Sequence, residues 1–242
     1  MGEGKIIKDK VAKEKVTKEK VTKEKATKNK KTKEKAVKKK ADNELNLKKL
    51  RKAIRKAQNA KRYEHTLGVE YTAAALAMRY GANVQDAILA GLLHDCAKCM
   101  SDEKLLNICE KQGIPVTETE HQLPFLLHGK VGGFLAENKY GIRNQDVINA
   151  ILYHTMGRED MSLLEKIVFV ADYIEPGRNR APYLEELREL AFQDLDKALL
   201  RILEGTLSHL KSNGWTIDSR TVETWNYYKA YVEQKTSAHE MD

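Results

Sequence analysis

The sequence predicts an all-α fold, with one bundle-like domain over residues 44–235, and three observations support this class. Apolar residues recur at three- and four-residue intervals in successive segments, which is typical of amphipathic helices. Capping residues and glycine or proline breaks separate these segments. No sustained alternation of apolar and polar residues indicates a strand ladder. Residues 1–43 are predicted to be a disordered lysine-rich tail, and residues 236–242 a short C-terminal tail.

The N-terminal tail contains six copies of a five-residue unit over residues 11–40, such as VTKEK. A period of five matches neither helix nor strand, so no apolar face forms and we expect disorder or only transient helix. Residues 1–42 carry 17 Lys and no Arg against 7 acidic residues, a net charge of +10, whereas the remainder holds 26 basic and 28 acidic residues. The tail therefore predicts either a solubilising segment or weak contact with RNA or another polyanion.

In the first half of the domain, helices are predicted wherever the apolar spacing is helical. Gly81 and Gly113 end two of them, and Asn83 and Ser101 begin two others as N-caps. Residues 114–124 are predicted to be a loop. The predicted helices cover residues 45–60, 62–80, 83–95, 101–113 and 126–139.

In the second half, Asn144 opens a helix, and Ser162 precedes a strongly apolar one that Pro176-Gly177 ends. Val168 to Val170 favour a strand, but the length of the apolar run favours a buried helix. Asn213-Gly214 separates the last two helices. The predicted helices cover residues 144–152, 162–174, 183–191, 194–212 and 218–235.

Several classes of protein are excluded by composition. No run of eighteen apolar residues predicts a transmembrane helix, and the charged N-terminus does not resemble a signal peptide, so we expect a cytoplasmic protein. The three cysteines, Cys96, Cys99 and Cys109, are odd in number and clustered, which indicates reduced thiols rather than a disulfide framework. The Cys96-x-x-Cys99 pair lacks a second pair that would complete a zinc site.

Six polar residues lie beside apolar runs, and nearly every one belongs to a different predicted helix or helix end. Any one of these histidines alone is more often a core or surface residue, but the coincidence of six favours a metal centre built between helices. Nitrogen and oxygen ligands suit iron, manganese or zinc, and six ligands suit two metals with a bridging aspartate. His121, His209 and His239 fall outside this pattern. The candidate ligands are His65, His94, Asp95, His128, His154 and Asp172.

The order H…HD…H…H…D resembles the HD superfamily of metal-dependent phosphohydrolases. The residues around each candidate ligand resemble, more narrowly, the bacterial symmetrical bis(5′-nucleosyl)-tetraphosphatases (the YqeK group). The resemblance covers about residues 46–235. Its motifs are Arg62-Tyr63-Glu64-His65-Thr66-Leu67, Leu92-Leu93-His94-Asp95-Cys96-Ala97-Lys98, Leu127-His128-Gly129, Tyr153-His154-Thr155-Met156-Gly157 and Ala171-Asp172-Tyr173-Ile174-Glu175-Pro176-Gly177-Arg178.

This resemblance implies an HD-domain helical bundle that cleaves diadenosine tetraphosphate in the middle, giving two ADP, at an iron-dependent site with two ions. Manganese or another divalent metal is the alternative to iron. By the same resemblance, His65, His94, Asp95 and Asp172 hold one iron, and Asp95 bridges to a second iron that His128 and His154 also hold.

Asp95 and Lys98 are the predicted catalytic residues. Positive side chains must neutralise the polyphosphate, and Lys98, Arg62 and Arg178 are placed to do so, although each could be a solvated helix-end charge. Thr155 is a further candidate for phosphate contact. The residues predicted to contact substrate are Arg62, His65, Asp95, His128, His154, Thr155, Asp172 and Arg178.

Two other functions stay open at this point. One is a different HD phosphohydrolase, such as a nucleotidase or a cyclic-dinucleotide phosphodiesterase. The other is a non-catalytic HD scaffold tethered to RNA by the basic tail. The oligomeric state is also open, with a homodimer as one alternative.

Overall fold

A computed structural model describes residues 47–181 and 183–239, without the side chains of 238 and 239. The chain divides into two units, Met1–Lys49 and Leu50–Asp242. Of the first unit only residues 47–49 are described, and they are helical. The predicted disordered tail therefore lies outside the described residues, and the predicted domain boundaries stay predictions.

Helices make up the regular structure, and no residue within 47–181 or 183–239 lies in a strand. The all-α class is confirmed. The helices are α1 (residues 47–57), α2 (Ala60–Tyr80), α3 (Val84–Leu93), α4 (Asp102–Gln112), α5 (Glu118–Gln122), a 3₁₀ helix (Pro124–Leu127), α6 (His128–Asn138), α7 (Gln145–Tyr153), α8 (Leu163–Ile174), α9 (Leu184–Gln193), α10 (Leu195–Ser212) and α11 (Ser219–His239).

The predicted caps are where the sequence placed them. The Asn83 side chain accepts hydrogen bonds from the backbone N–H groups of Gln85 and Asp86, and Ser101 accepts one from Lys104. Gly81 ends α2 in the left-handed conformation, with φ of 73°, which a residue without Cβ adopts at little cost. Local chemistry therefore sets these helix ends.

The predicted loop over residues 114–124 is wrong in its second half. Glu118–Gln122 forms α5, which contains His121, and Pro124 begins the 3₁₀ helix. The cause is a capping box: Thr117 accepts from the Glu120 backbone N–H, and the Glu120 carboxylate accepts from the Thr117 N–H. These two bonds satisfy donors that would otherwise be unpaired at the start of so short a helix.

The core is centred on α8, which packs against α2, α3, α7, α9 and α10. Its side chains from Ile167 to Ala171 are all buried. Two glycines allow neighbouring helices to approach closely. A Cβ added at Gly91 would lie 2.9 Å from the Glu70 Cα on α2, and one at Gly129 would lie 2.8 Å from the Leu152 oxygen on α7.

Two further expectations concern chemistry and membranes. The three cysteines are free thiols, of which Cys96 and Cys109 are buried and Cys99 is exposed. Within the described ranges no helix combines the length and the apolar character needed to cross a bilayer.

Candidate metal centre

The six polar residues singled out in the sequence converge on one buried place. Each is presented at or near a helix end: His65 on α2, His94 and Asp95 directly after α3, His128 at the start of α6, His154 directly after α7, and Asp172 in the last turn of α8. His94 is fully buried, and Asp95, His128 and His154 are each no more than 3% exposed. Their role as ligands stays a prediction, but the structure brings all six together.

Asp95 lies between two pairs of histidines. Its Oδ2 is 3.3 Å from His94 Nε2 and 3.8 Å from His65 Nε2. Its Oδ1 is 3.5 Å from His128 Nε2 and 3.7 Å from His154 Nε2. The two oxygens of one carboxylate thus face two separate sets of nitrogen donors.

Asp172 belongs to the first of these sets. Its Oδ1 is 3.0 Å from His65 Nε2 and 3.9 Å from His94 Nε2. Ligand atoms that lie within 4.8 Å of one another define candidate metal sites on both sides of Asp95. These groups are His65, His94 and Asp95; His94, His154 and Asp172; and Asp95, His128 and His154.

The histidines are oriented by hydrogen bonds from their outer ring nitrogens. The Nδ1 atoms of His94, His128 and His154 lie 2.7, 2.6 and 2.7 Å from the carbonyl oxygens three residues earlier. An Nδ1–H that donates to a carbonyl leaves Nε2 with its lone pair directed inward. Protein metal sites fix their histidines in this way.

Two buried imidazole nitrogens in the centre lack a hydrogen-bond partner, which bears on whether a metal ion fits there. His65 Nε2 and His94 Nε2 are buried and make no hydrogen bond, although carboxylate oxygens lie 3.0 and 3.3 Å away. Leaving a buried polar atom unsatisfied costs roughly 1–3 kcal/mol. Nitrogens and oxygens that lie side by side without hydrogen-bond geometry are oriented as ligands of a shared cation, so the donor set fits a divalent metal.

The electrostatics also favour a cation. Burial and the neighbouring His154 and Lys98 lower the pKa of His128 to about 3, so its imidazole is neutral and keeps a lone pair. Burial opposes ionisation of Asp95, yet the facing imidazoles of His94 and His154 hold the pKa of its carboxyl well below its usual range. A neutral imidazole at His128 beside the ionised carboxylate of Asp95 is donor chemistry that suits iron, manganese and zinc.

The chain leaves the α-helical path directly after α3, so the helix predicted over residues 83–95 ends at Leu93. Residues 94–99 form consecutive turns instead, with hydrogen bonds from Cys96 N to Leu93 O and from Lys98 N to Asp95 O. His94 and Asp95 both reach the centre from this segment, where His94 Nε2 lies 3.3 Å from Asp95 Oδ2.

Four predicted substrate-binding or catalytic side chains surround the ligands. Lys98 Nζ lies 3.4 Å from both ring nitrogens of His128, and Thr155 Oγ1 lies 3.1 Å from the Nε2 atoms of His128 and His154. Arg62 donates to Asp95 Oδ2 at 2.8 Å, and Arg178 donates to Asp172 Oδ1 at 2.9 Å. Burial lowers the pKa of Lys98, as does the Arg62 charge, although Asp95 opposes both.

Glu175 is a site residue that the sequence reasoning missed. Its carboxylate is buried, lies 3.1 Å from His65 Nδ1, and accepts a hydrogen bond from the Gly177 N–H. Glu175 does for His65 what backbone carbonyls do for the other three histidines. Its place in the Glu175-Pro176-Gly177-Arg178 motif was a signal, since that motif directly follows the Asp172 helix.

Two further positioning residues were also missed. Gln58 donates to the Asp95 backbone oxygen at 2.9 Å and accepts from the Thr66 hydroxyl. Arg188 holds the segment after α8 by donating to three backbone oxygens, those of Ile174, Glu175 and Arg178. Nothing local in the sequence identifies either residue, because their partners lie on other elements.

Comparison with known proteins identifies the family of this chain. Residues 62–177 match the family model described as HD domain. The symmetrical bis(5′-nucleosyl)-tetraphosphatase of Bacillus subtilis is 40% identical over 167 residues, which are 69% of this chain and 88% of that protein. This chain belongs to the HD-domain hydrolase family. The family resemblance read from the sequence is confirmed, and so is its class of metal-dependent hydrolase.

Other HD-domain hydrolases agree over most of the described fold. The protein of the same name from Staphylococcus aureus is 34% identical, over 76% of this chain and 95% of its own. A crystal structure from Clostridium acetobutylicum, titled a predicted HD superfamily hydrolase involved in NAD metabolism, is 41% identical with a TM-score of 0.74. The likeness covers 76% of this chain and 97% of that one.

Proposed function

We propose that this protein hydrolyses dinucleoside tetraphosphates between the second and third phosphates, so that diadenosine tetraphosphate gives two ADP. The relatives from Bacillus subtilis and Staphylococcus aureus are named for symmetrical cleavage of this substrate class. The observation that carries the proposal is the placement of Asp95, whose two oxygens face separate histidine pairs.

The proposed metal is iron, as two ions, with manganese or another divalent metal as the alternative. His65, His94, Asp95 and Asp172 would hold one ion, and Asp95, His128 and His154 the other. When bound, two such ions supply an acidified water and positive charge for the attacking and leaving oxygens. The donor set supports this assignment because it contains nitrogen and oxygen but no thiolate.

The chain itself supplies charge to the polyphosphate. Arg62 and Arg178 each use part of the guanidinium on a carboxylate of the centre, yet their side chains stay 33% and 34% exposed. Their remaining N–H groups are therefore available to phosphate oxygens, which guanidinium binds well. We assign both arginines to the phosphates beside the bond that breaks.

Lys98 and Thr155 lie on the His128 side of Asp95. Lys98 would place its ammonium beside the leaving phosphate, and the Thr155 hydroxyl would donate to a phosphate oxygen. In the reaction a water oxygen bonds to the second phosphorus, and the bond from that phosphorus to the bridging oxygen breaks. The third phosphate leaves as part of one ADP, and the water oxygen stays on the second phosphate as part of the other. The two protons of the water pass to the product phosphates or to solvent.

The test is an anaerobic assay with purified protein, ferrous iron and diadenosine tetraphosphate, with products separated by chromatography. We expect ADP as the product of both halves, and a parallel assay with manganese compares the metals. AMP plus ATP would contradict symmetrical cleavage. No turnover of this substrate with either metal bound would contradict the proposed function as a whole.

A further inference from the structure

A cleft of about 580 Å³ opens beside the metal centre, between the start of α2 and the segment after α8. It shares Arg62, His65 and Arg178 with that centre, so the two are continuous. Its volume lies within the range of small-molecule binding sites. The cleft is therefore large enough for a ligand that reaches beyond the reacting phosphates.

The walls of the cleft carry more positive than negative charge. Lys61, Arg62, Arg178 and Arg180 line it, against the carboxylates of Glu64 and Glu175. Glu175 is buried and already hydrogen-bonded to His65 and to the Gly177 N–H. Among the residues that line the cleft, four are therefore cationic and two are anionic.

Lys61 and Arg180 differ from the two inner cations. Arg62 and Arg178 pair with Asp95 and Asp172, whereas Lys61 and Arg180 are exposed and form no ion pair with any residue in the described part of the chain. Lys61 also lies in the first turn of the 21-residue α2, where the helix dipole adds positive potential. These two side chains have donors to offer to an anionic ligand.

The chemistry of the ligand follows from its position. A dinucleoside tetraphosphate cut in its middle must place one nucleoside diphosphate on each side of the metal centre. Phosphates suit the four cations, and the amides of Asn59 and Asn179, which also line the cleft, suit the hydroxyl and ring nitrogen groups of a nucleoside.

Building on the proposed function, we propose that this cleft binds one nucleoside diphosphate half of the substrate. Lys61 and Arg180 are substrate-positioning residues that contact its outer phosphate. The same contacts would hold the product, so ADP would occupy the cleft after cleavage and compete with fresh substrate.

The test compares the metal-loaded full chain with the double variant Lys61→Ala/Arg180→Ala. We expect KM for diadenosine tetraphosphate to rise at least about tenfold while kcat stays within about twofold, because these contacts are uniform binding contacts. The inhibition constant of ADP should rise by a similar factor. Arg180→Lys keeps the positive charge, so it should raise KM less than Arg180→Ala does.

A matched control removes the same charge elsewhere. Lys111→Ala/Arg143→Ala changes two exposed side chains that do not line the cleft, and its KM should stay near the wild-type value. Equal rises of KM in both double variants would indicate long-range charge alone and would overturn the assignment. So would an unchanged KM in the cleft variant of an enzyme that cleaves the substrate.

Direct calorimetric binding of ADP separates this inference from the proposed function. If the wild-type protein does not cleave diadenosine tetraphosphate but binds ADP, and the cleft variant binds it at least about tenfold more weakly, the cleft assignment stands and the proposed activity fails. If ADP binds both proteins equally, or neither, the cleft assignment is wrong.

Discussion

Two buried charged clusters in this protein are built in opposite ways. Asp196 on α10 accepts from Lys166 on α8 at 2.7 Å and from Lys235 on α11 at 2.9 Å, one ammonium for each oxygen. At the metal centre, four imidazole nitrogens face the carboxylates of Asp95 and Asp172, and those of His65 and His94 make no hydrogen bond. The first cluster satisfies its own groups, whereas the second directs ligand atoms toward shared points.

This difference distinguishes buried charges that stabilise the fold from buried charges that could bind a ligand. A paired cluster ties helices together, and breaking one partner leaves an uncompensated charge that destabilises the fold. Unsatisfied ligand atoms that face inward cost stability when nothing compensates them, which is typical of a site built to bind a ligand. Substitutions in the two clusters should therefore have opposite effects on activity and stability.

The largest expected effect comes from Asp95→Asn, compared with Asp196→Asn as its control. Removing the carboxylate should lower kcat/KM at least about 1,000-fold, because both sides of the centre would lose a proposed ligand. Asp196→Asn should change kcat/KM by no more than about threefold, because the hydrogen-bond partners of Asp196 are Lys166 and Lys235, which are not candidate ligands. If Asp95→Asn kept a tenth of the wild-type activity, the proposed difference in role between Asp95 and Asp196 would be wrong.

The next largest effect is expected from Gly68→Ala, which tests whether the Glu175 carboxylate orients His65. A Cβ at Gly68 would lie 2.3 Å from Glu175 Oε2, whereas one at Gly205 would meet only Tyr173 Oη at 4.0 Å. Gly68→Ala should displace the carboxylate that orients His65 and lower metal affinity and kcat/KM about 10–100-fold. Metal titration and steady-state kinetics measure both quantities.

Gly205→Ala is the matched control for Gly68→Ala. Both glycines lie inside long helices, so alanine should favour the helix by up to about 1 kcal/mol in each case. Gly205→Ala should leave kinetics unchanged and raise the midpoint of thermal unfolding slightly. Equal kinetic losses in the two variants would show that Glu175 is not the cause.

A smaller effect, on stability alone, is expected at Asp196. Burial raises the pKa of Asp196, but the hydrogen bonds from Lys166 and Lys235 outweigh it and the net pKa is lowered. A carboxyl with a depressed folded pKa stabilises the protein above its unfolded pKa, about 3.9, and loses this stabilisation as the pH falls through the folded value.

Asp196→Asn should therefore lower the free energy of unfolding at pH 7 by about 1–3 kcal/mol, a value reduced because Lys235 is 40% exposed. Urea denaturation of both proteins should show this difference shrinking as the pH is lowered below about 4. A difference that is the same at pH 7 and pH 3 would mean that the charge of Asp196 is not responsible.

The smallest effect is expected from deleting residues 1–42. Their five-residue repeat gives no apolar face that could join a core, and the motifs of the centre begin only at Arg62. Turnover of diadenosine tetraphosphate by the shortened chain should stay within about twofold of the full chain. A tenfold loss would place the lysine-rich repeats in the substrate site.

The parts of the fold that sequence could predict are those with a local cause. Asn83, Ser101, Gly81 and Gly113 end or begin helices through their own side chains or backbone freedom, and the structure has them in those roles. The α5 helix also had a local signal, the capping box in Thr117-Glu118-Thr119-Glu120, and the prediction of a loop overlooked it.

Long-range hydrogen bonds account for what sequence could not supply. His65 and Glu175 are 110 residues apart, and Gln58 and Asp95 are 37 apart, so no spacing rule relates them. The six inward residues were identifiable because each interrupts or follows an apolar run. The sequence could not predict, by contrast, that one carboxylate oxygen of Asp95 faces His65 and His94 while the other faces His128 and His154.

We propose that Asp95 joins two metal sites, and the metal content of the protein tests this proposal most directly. After anaerobic reconstitution with ferrous iron and removal of excess metal, elemental analysis of the wild-type chain should give about two ions per chain, and His128→Ala about one. Asp95→Asn should hold fewer than either. One ion per wild-type chain that persists unchanged in His128→Ala would contradict the two-site account.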